Sequence, residues 1–235
     1  MKILIGRNFL LGAIIFSGLI GGIAPVSAAN SAGEYRQLGL SHRQQGRYSQ
    51  AITAMQKSVE LEPENVMGQV NLGWTQHLAG KQQDAAISLW KAIFLQPLFV
   101  PAYNALGIVY LVDGNLPLSV TAHTWAAILK PNNEIAYFNL SLALHRLKIY
   151  PLAITAGDRA AVLEPNNPHP LVVSAISYWD SGDRIFAQKA YYQAIKLDPR
   201  YKNFTFLNHL KQAAFTPEEI QVTKEILRQI SDRQI

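Results

Sequence analysis

Apolar and small side chains recur along this sequence at steps of three, four or seven residues, the spacing that lines one face of a helix. These patterns are themselves repeated at a fixed offset of 34 residues, without insertion or deletion. A repeated helical pattern of this kind predicts one structural unit copied in tandem. Two of the repeated columns are Leu38, Leu72, Leu106 and Leu140, and Ala51, Ala85, Ala153 and Ala187.

Prolines and glycines predict where the helices of each unit end. Proline lacks a backbone donor and stops a helix, and glycine is favoured where the chain turns after a helix with positive φ. Each unit is therefore predicted to be a helix-turn-helix pair. The terminating prolines are Pro63, Pro97, Pro131, Pro165 and Pro199, and the turn glycines are Gly46, Gly80, Gly114 and Gly182.

With Leu38-Gly39, Gly46-x-Tyr48, Ala51, Ser58 and Pro63, the segment from Tyr35 to Asn65 resembles a tetratricopeptide repeat. The resemblance implies an all-α fold, a right-handed α-solenoid of helix-turn-helix repeats. Five such repeats cover residues 32–65, 66–99, 100–133, 134–167 and 168–201.

The fourth repeat departs from this pattern at three positions. Ser141 replaces the usual central glycine, and Lys148 replaces the turn glycine. The 24th position of a repeat is usually a large apolar residue in the family, but it is Gly157 in the fourth repeat and His123 in the third. We expect looser helix packing at these two positions.

Residues 202–235 have the length of a further repeat but lack its leucine-glycine and proline columns. The sequence from Thr216 to Glu219 predicts a capping box with proline at the first helical position. An apolar stripe that begins at Ile220 follows it. We interpret this segment as a degenerate repeat whose helices cap the fifth one.

Residues 1–28 have the organisation of a signal peptide. Lys2 and Arg7 precede an apolar run, and Val26 and Ala28 occupy the small positions required before cleavage. We expect the mature chain to begin at Ala29 and to lie in the periplasm or an equivalent lumenal space, such as the thylakoid lumen. The alternative is an uncleaved membrane anchor over residues 8–29, although its apolar run is short for the roughly 20 residues of a span.

Composition and motifs narrow the class of function. With 49% hydrophobic and 16% charged residues the chain is not disordered, and without cysteine it has no disulfide, thiolate metal site or cysteine nucleophile. The net charge of +5 is too small for a nucleic-acid surface. The six histidines form no H-x3-H or H-E-x-x-H pair, and no G-x-S-x-G motif occurs. The sequence therefore predicts no enzyme activity, no metal site and no cofactor.

The resemblance implies that the first helix of each repeat lines a concave groove that binds a protein or peptide segment. Aromatic and arginine side chains are common anchors in such interfaces. Mapping the family's groove positions onto this sequence gives Arg36, Arg43, Asn71, Trp74, His77, Asn104, Ile108, Phe138, Asn139, His145, Arg146 and Trp179.

These observations predict an exported adaptor that binds a protein segment and helps to assemble or retain a membrane-associated complex. Its contact with the membrane would be made through a partner or through an uncleaved N-terminal segment. Two alternatives remain open. One is a structural solenoid that acts by self-association, and the other is a non-catalytic subunit of an envelope enzyme complex.

Overall fold

The computed structural model describes residues 31–232, which contain eleven α-helices, two short 3₁₀ helices and no strand. The predicted signal peptide, with its cleavage site and the alternative anchor, lies outside the described residues. None of the described helices is long and apolar enough to cross a membrane. The α-helices are α1 Ala32–Gln44, α2 Tyr48–Leu61, α3 Val66–Leu78, α4 Gln82–Leu95, α5 Val100–Asp113, α6 Leu116–Leu129, α7 Glu134–Arg146, α8 Tyr150–Leu163, α9 His169–Asp180, α10 Arg184–Leu197 and α11 Pro217–Asp232.

The chain divides into two compact units between Val109 and Tyr110, within α5. In the first unit, α1 packs against α2, α2 contacts α3, and α3 packs against α4. In the second unit, α6 contacts α7, and each helix from α7 to α9 packs against the next one. The helices of both units are thus stacked helix-turn-helix pairs, as the repeat pattern predicts.

Helix ends follow the local chemistry of the repeated prolines and glycines. Each second helix ends two residues before a repeated proline, as α2 does at Leu61 before Pro63. The four turn glycines all adopt positive φ, from 72° at Gly46 to 96° at Gly182. Lys148 takes the same turn conformation with φ 62°, although an L-residue is strained there. The turn is therefore kept in the fourth repeat despite the loss of its glycine.

Facing helices of a repeat approach closely where a small residue meets a large one. A Cβ added to Gly39 would lie 2.9 Å from Met55 Cε, and one added to Gly73 would lie 2.8 Å from Leu89 Cγ. Because glycine has no Cβ, each of these positions leaves a space that the large side chain of the second helix fills.

In the fourth repeat the sizes are exchanged. Gly157 now stands on the second helix, and a Cβ added there would lie 3.0 Å from Ser141 Oγ and 2.5 Å from Ser174 Oγ of α9. The expectation of looser packing at Gly157 is wrong, because these two hydroxyl groups occupy the space that a large residue would need. Ser141 Oγ also donates to the Ala153 carbonyl oxygen at 2.7 Å.

The C-terminal segment closes the core of the second unit. The 3₁₀ helix Phe206–Ala213 contributes Leu207 and Leu210, and α11 contributes Ile226. These side chains are fully buried in one cluster with residues of α7, α9 and α10. The segment therefore covers the apolar surface of the last complete helix pair, which is the work of a capping element.

Candidate protein-binding surface

We use the term first-helix face for the residues of α1, α3, α7 and α9 at the predicted groove positions, taken separately in each unit. In the first unit, Trp74 is the most prominent member. Its ring is partly exposed and lies 4.9 Å, centroid to centroid, from the ring of His77 one turn along α3. The partly exposed member of this pair is the indole ring of Trp74.

His77 has a buried imidazole with one nitrogen in use. Its Nδ1 lies 2.7 Å from Oε1 of Gln82, so Nδ1 carries the proton and Nε2 is an acceptor. Burial lowers the pKa of His77, against the smaller opposing effect of the Gln82 hydrogen bond, so the ring is neutral at pH 7. Nε2 has no hydrogen-bond partner among residues 31–232. A buried acceptor without a donor is unfavourable.

Arg43 brings a partly buried cation to the same face. Its Nη1 lies 3.5 Å from Thr75 Oγ1, and this hydroxyl group donates to the Asn71 carbonyl oxygen at 2.7 Å. Burial lowers the pKa of Arg43, but a guanidinium stays charged at neutral pH. No described carboxylate forms a salt bridge with it, whereas Arg36 is paired with Glu62 at 2.8 Å. Arg43 is thus available to an anionic group of a partner.

The remaining predicted residues of the first unit are buried. Asn71 on α3 is buried, and so are Asn104 and Ile108 on α5. The structure thus leaves Arg43 and Trp74 partly exposed and places His77, Asn71, Asn104 and Ile108 within the packed interior.

In the second unit, three of the predicted residues have structural roles. Asn139 donates from Nδ2 to the Ile135 carbonyl oxygen at 2.9 Å, within its own helix. Trp179 belongs to the hydrophobic core, and the Arg184 guanidinium lies 3.7 Å above its ring centroid. His145 is buried, with Nδ1 3.2 Å from Ser177 Oγ and Nε2 3.5 Å from Asp180 Oδ2.

Burial also decides the charge of His145. Its desolvation lowers the pKa of the imidazole, and the nearby carboxylates of Glu219 and Asp180 oppose that change. The ring is therefore neutral at pH 7 and acts as a hydrogen-bonding member of the interior.

The other two predicted residues, Phe138 and Arg146, contact the C-terminal segment. The ring of Phe138 lies 6.1 Å from that of Phe215, and both pack in the same core cluster. Arg146 donates from Nε and Nη2 to the two carboxylate oxygens of Glu219, at 2.9 and 3.0 Å. This part of the first-helix face is therefore occupied by the chain itself.

Two features of the surface were not predicted. One is the contact of residues 214–219 with α7, which joins positions about 70 residues apart and has no local sequence signal. The other is an exposed apolar face on α4, where the exposed fractions of Ile87, Trp90 and Phe94 are 58%, 40% and 79%. The second feature had a signal: apolar residues stand at positions that Thr53, Gln56 and Glu60 occupy in the first repeat.

Acidic and imidazole side chains do not gather into a metal site in the described part of the chain. No group of three or more His, Asp or Glu residues there could hold a metal ion. The groups that the first-helix face of residues 31–109 leaves partly exposed are the aromatic ring of Trp74 and the guanidinium of Arg43.

Comparison with known proteins agrees with the architecture. Models described as tetratricopeptide repeat match residues 32–65 and 104–168. No curated protein matches the chain. The solved structure of the MamA protein is 25% identical, with a TM-score of 0.66, and the match covers 72% of this chain and 92% of that one.

Two more distant structures share the fold. YrrB, described as a TPR protein with an unusual peptide-binding site, is 16% identical with a TM-score of 0.62, and the match covers 77% of this chain and 92% of that one. A thermophilic TPR protein of Thermus thermophilus is 19% identical with a TM-score of 0.59, and the match covers 78% of this chain and 99% of that one. With its matched repeats and its stacked helix pairs, the described part of the chain is an all-α array of stacked helix-turn-helix tetratricopeptide repeats.

Proposed function

We propose that this protein is a scaffold that binds a protein segment through the first-helix face of residues 31–109, and that it is exported and helps to assemble or retain a membrane-associated complex. Tetratricopeptide repeat domains bind protein or peptide partners and are typically non-catalytic. The observation that carries the proposal is the partly exposed ring of Trp74, in the same unit as Arg43, whose guanidinium has no carboxylate partner among residues 31–232.

The chemistry of Trp74 and Arg43 indicates what kind of partner segment fits. The ring of Trp74 favours an apolar side chain, because a large aromatic surface gains most from being removed from water. Arg43 favours a carboxylate, to which a guanidinium donates charge-assisted hydrogen bonds. The segment that fits is therefore one with an apolar side chain and an acidic group.

The experiment is a crosslinked pull-down of the mature protein from membrane and soluble fractions, followed by affinity measurement with the partner it identifies. We expect Trp74→Ser to weaken binding by roughly thirtyfold, the cost of about 2 kcal/mol for a central aromatic anchor. Trp90→Ser is the matched control, because Trp90 lies on α4 of the same unit and is exposed on a different helix. Equal binding by the two variants would show that the partner binds elsewhere.

Export is the second part of the proposal and rests on the sequence of residues 1–28. The positively charged start, the apolar run and the small residues at Val26 and Ala28 have the order of a cleaved signal. An exported scaffold of this kind would act on the far side of the membrane. The partner it holds would then be another exported or membrane-bound protein.

Self-association is a second candidate function, favoured by the exposed face of α4. Ile87, Trp90 and Phe94 leave an apolar surface in water, which in a monomer is unusual unless it binds something. Sedimentation equilibrium separates this candidate from the first one. A mass that rises with concentration, and that falls to the monomer mass in Trp90→Ser with Phe94→Ser, would support self-association. A monomer at all concentrations would exclude it.

A further inference from the structure

The C-terminal segment reaches further than a capping element needs to. A cap must cover the last helix pair, and α11 does this by packing against α9 and α10. Residues 214–219 also contact α7, which belongs to the preceding pair. These additional contacts are made to Phe138 and Arg146, two residues at positions where the family binds its ligands.

The contact with α7 has the chemistry of a bound peptide. Phe215 is 3% exposed and packs its ring beside that of Phe138. Glu219 is 4% exposed and accepts two hydrogen bonds from Arg146, while Arg146 Nη2 also donates to the Ala214 carbonyl oxygen. An aromatic anchor, a two-pronged guanidinium–carboxylate pair and a backbone contact are the usual parts of peptide recognition.

The local structure of the segment holds these anchors in position. Thr216 and Glu219 form a capping box, in which Thr216 N donates to Glu219 Oε2 at 2.7 Å and Glu219 N donates to Thr216 Oγ1 at 3.2 Å. Ala214 has φ 65°, a left-handed conformation that an alanine adopts only at a cost. The contacts with α7 compensate for this strain, since they include the carbonyl group of the same residue.

From this geometry we infer that the first-helix face of α7 is a peptide-binding site, occupied in this structure by the chain's own residues 214–219. A partner segment can displace these residues and bind in their place. Such a segment carries an aromatic side chain, followed four residues later by a carboxylate at the start of a helix. The inference rests on the proposed function only in that the partner is a protein segment. The site on α7 lies in the second unit, whereas Trp74 lies in the first.

The tethered segment makes the site selective. A segment joined to its own receptor acts at a high effective concentration, so a free partner binds only when it competes with that local copy. The apparent affinity for a partner is reduced by the fraction of molecules in which the site is filled. Weakening the internal segment should therefore strengthen the binding of an external one.

The experiment uses the full mature chain and a fluorescently labelled peptide that copies residues 212–224. Phe215→Ala with Glu219→Gln weakens the internal segment and leaves α7 intact. We expect this variant to bind the peptide about tenfold more tightly than the wild type does, by fluorescence polarisation. Adding Arg146→Gln to it should abolish the gain. For a purely structural cap, both sets of variants would bind the peptide no better than wild type, and that result would overturn the inference.

A charge exchange provides a second test that does not depend on the double variant being folded. In an Arg146→Glu chain the internal Glu219 is repelled from α7. This chain should bind a peptide that carries Glu219→Arg and should not bind the wild-type peptide. Binding of neither peptide by a chain with wild-type helicity would overturn the inference. The pull-down with Trp74 variants tests partner binding by the first unit, whereas the peptide experiments test binding to α7 in the second. The proposed function and this inference can therefore fail separately.

Discussion

At the scale of single residues, the fourth repeat shows how one packing problem has two solutions. Gly39 and Gly73 make room for a large side chain on the facing helix, whereas Gly157 makes room for the hydroxyl groups of Ser141 and Ser174. Ser174 is not free to move away without loss, because its Oγ donates to Asp158 Oδ1 at 2.9 Å. The small residue lies on the first helix in the first two repeats and on the second helix in the fourth repeat.

We expect Gly157→Ala to lower the free energy of unfolding by about 1 to 3 kcal/mol, the usual range for overpacking. The added Cβ would lie 2.5 Å from Ser174 Oγ, so that hydroxyl group must give up its hydrogen bond to move. Urea unfolding followed by circular dichroism measures the change. Gly33→Ala is the control: its Cβ would meet only Ser31 Oγ at 3.9 Å, and a neutral or favourable effect is expected. Equal stability of both variants would refute this account of the fourth repeat.

At the scale of elements, the start of α9 is joined to the C-terminal segment by a group of rings. His169 lies 5.7 Å from His209 and 6.4 Å from Tyr201, and Tyr201 Oη is 3.1 Å from His209 Nε2. Burial lowers the pKa of His169 to about 4, and His209 adds to this effect. The contact between α9 and the C-terminal segment is therefore favourable only while the imidazole of His169 is neutral.

This burial predicts that the protein loses stability in mild acid. The unfolded chain takes up a proton at His169 near pH 6.5 and the folded chain only near pH 4, so stability falls as pH decreases between these values and is restored above them. The loss from this residue is of the order of 3 kcal/mol by pH 4. Thermal melts between pH 7 and 4 should show a steeper decline for wild type than for His169→Gln. Parallel curves would mean that His169 is not the source.

The elements also show what the sequence can and cannot predict. Helix ends followed from Pro63 and Gly46 and their repeats, because these residues act on their own backbone. The contact of Arg146 with Glu219 joins positions 73 apart, and no periodicity connects them. Asn139 was predicted as a binding residue from its repeat position, but packing turned its amide to its own helix. Local chemistry is legible in a sequence, whereas the choice of partner for a side chain depends on what else the fold brings near.

At the scale of the whole molecule, the proposed role depends on which side of the membrane the chain works. Cleavage after Ala28 would release a chain that begins at Ala29. N-terminal sequencing of the protein purified from its native source should therefore begin at Ala29, with the chain extracted without detergent. A chain that still starts at Met1 and needs detergent would instead support an anchor over residues 8–29.

The exchange of sizes between Ser141 and Gly157 has a consequence for how such a chain can evolve. Shuffling single helices between its repeats would place Gly157 opposite Gly73 and leave a void, or drive Leu89 into Ser141. The two helices of the fourth repeat can therefore be copied or moved without harm only together. The unit that can be duplicated is thus the matched helix pair. A duplication that separated the two helices of this pair would destabilise the fold and would be selected against, whatever its effect on binding.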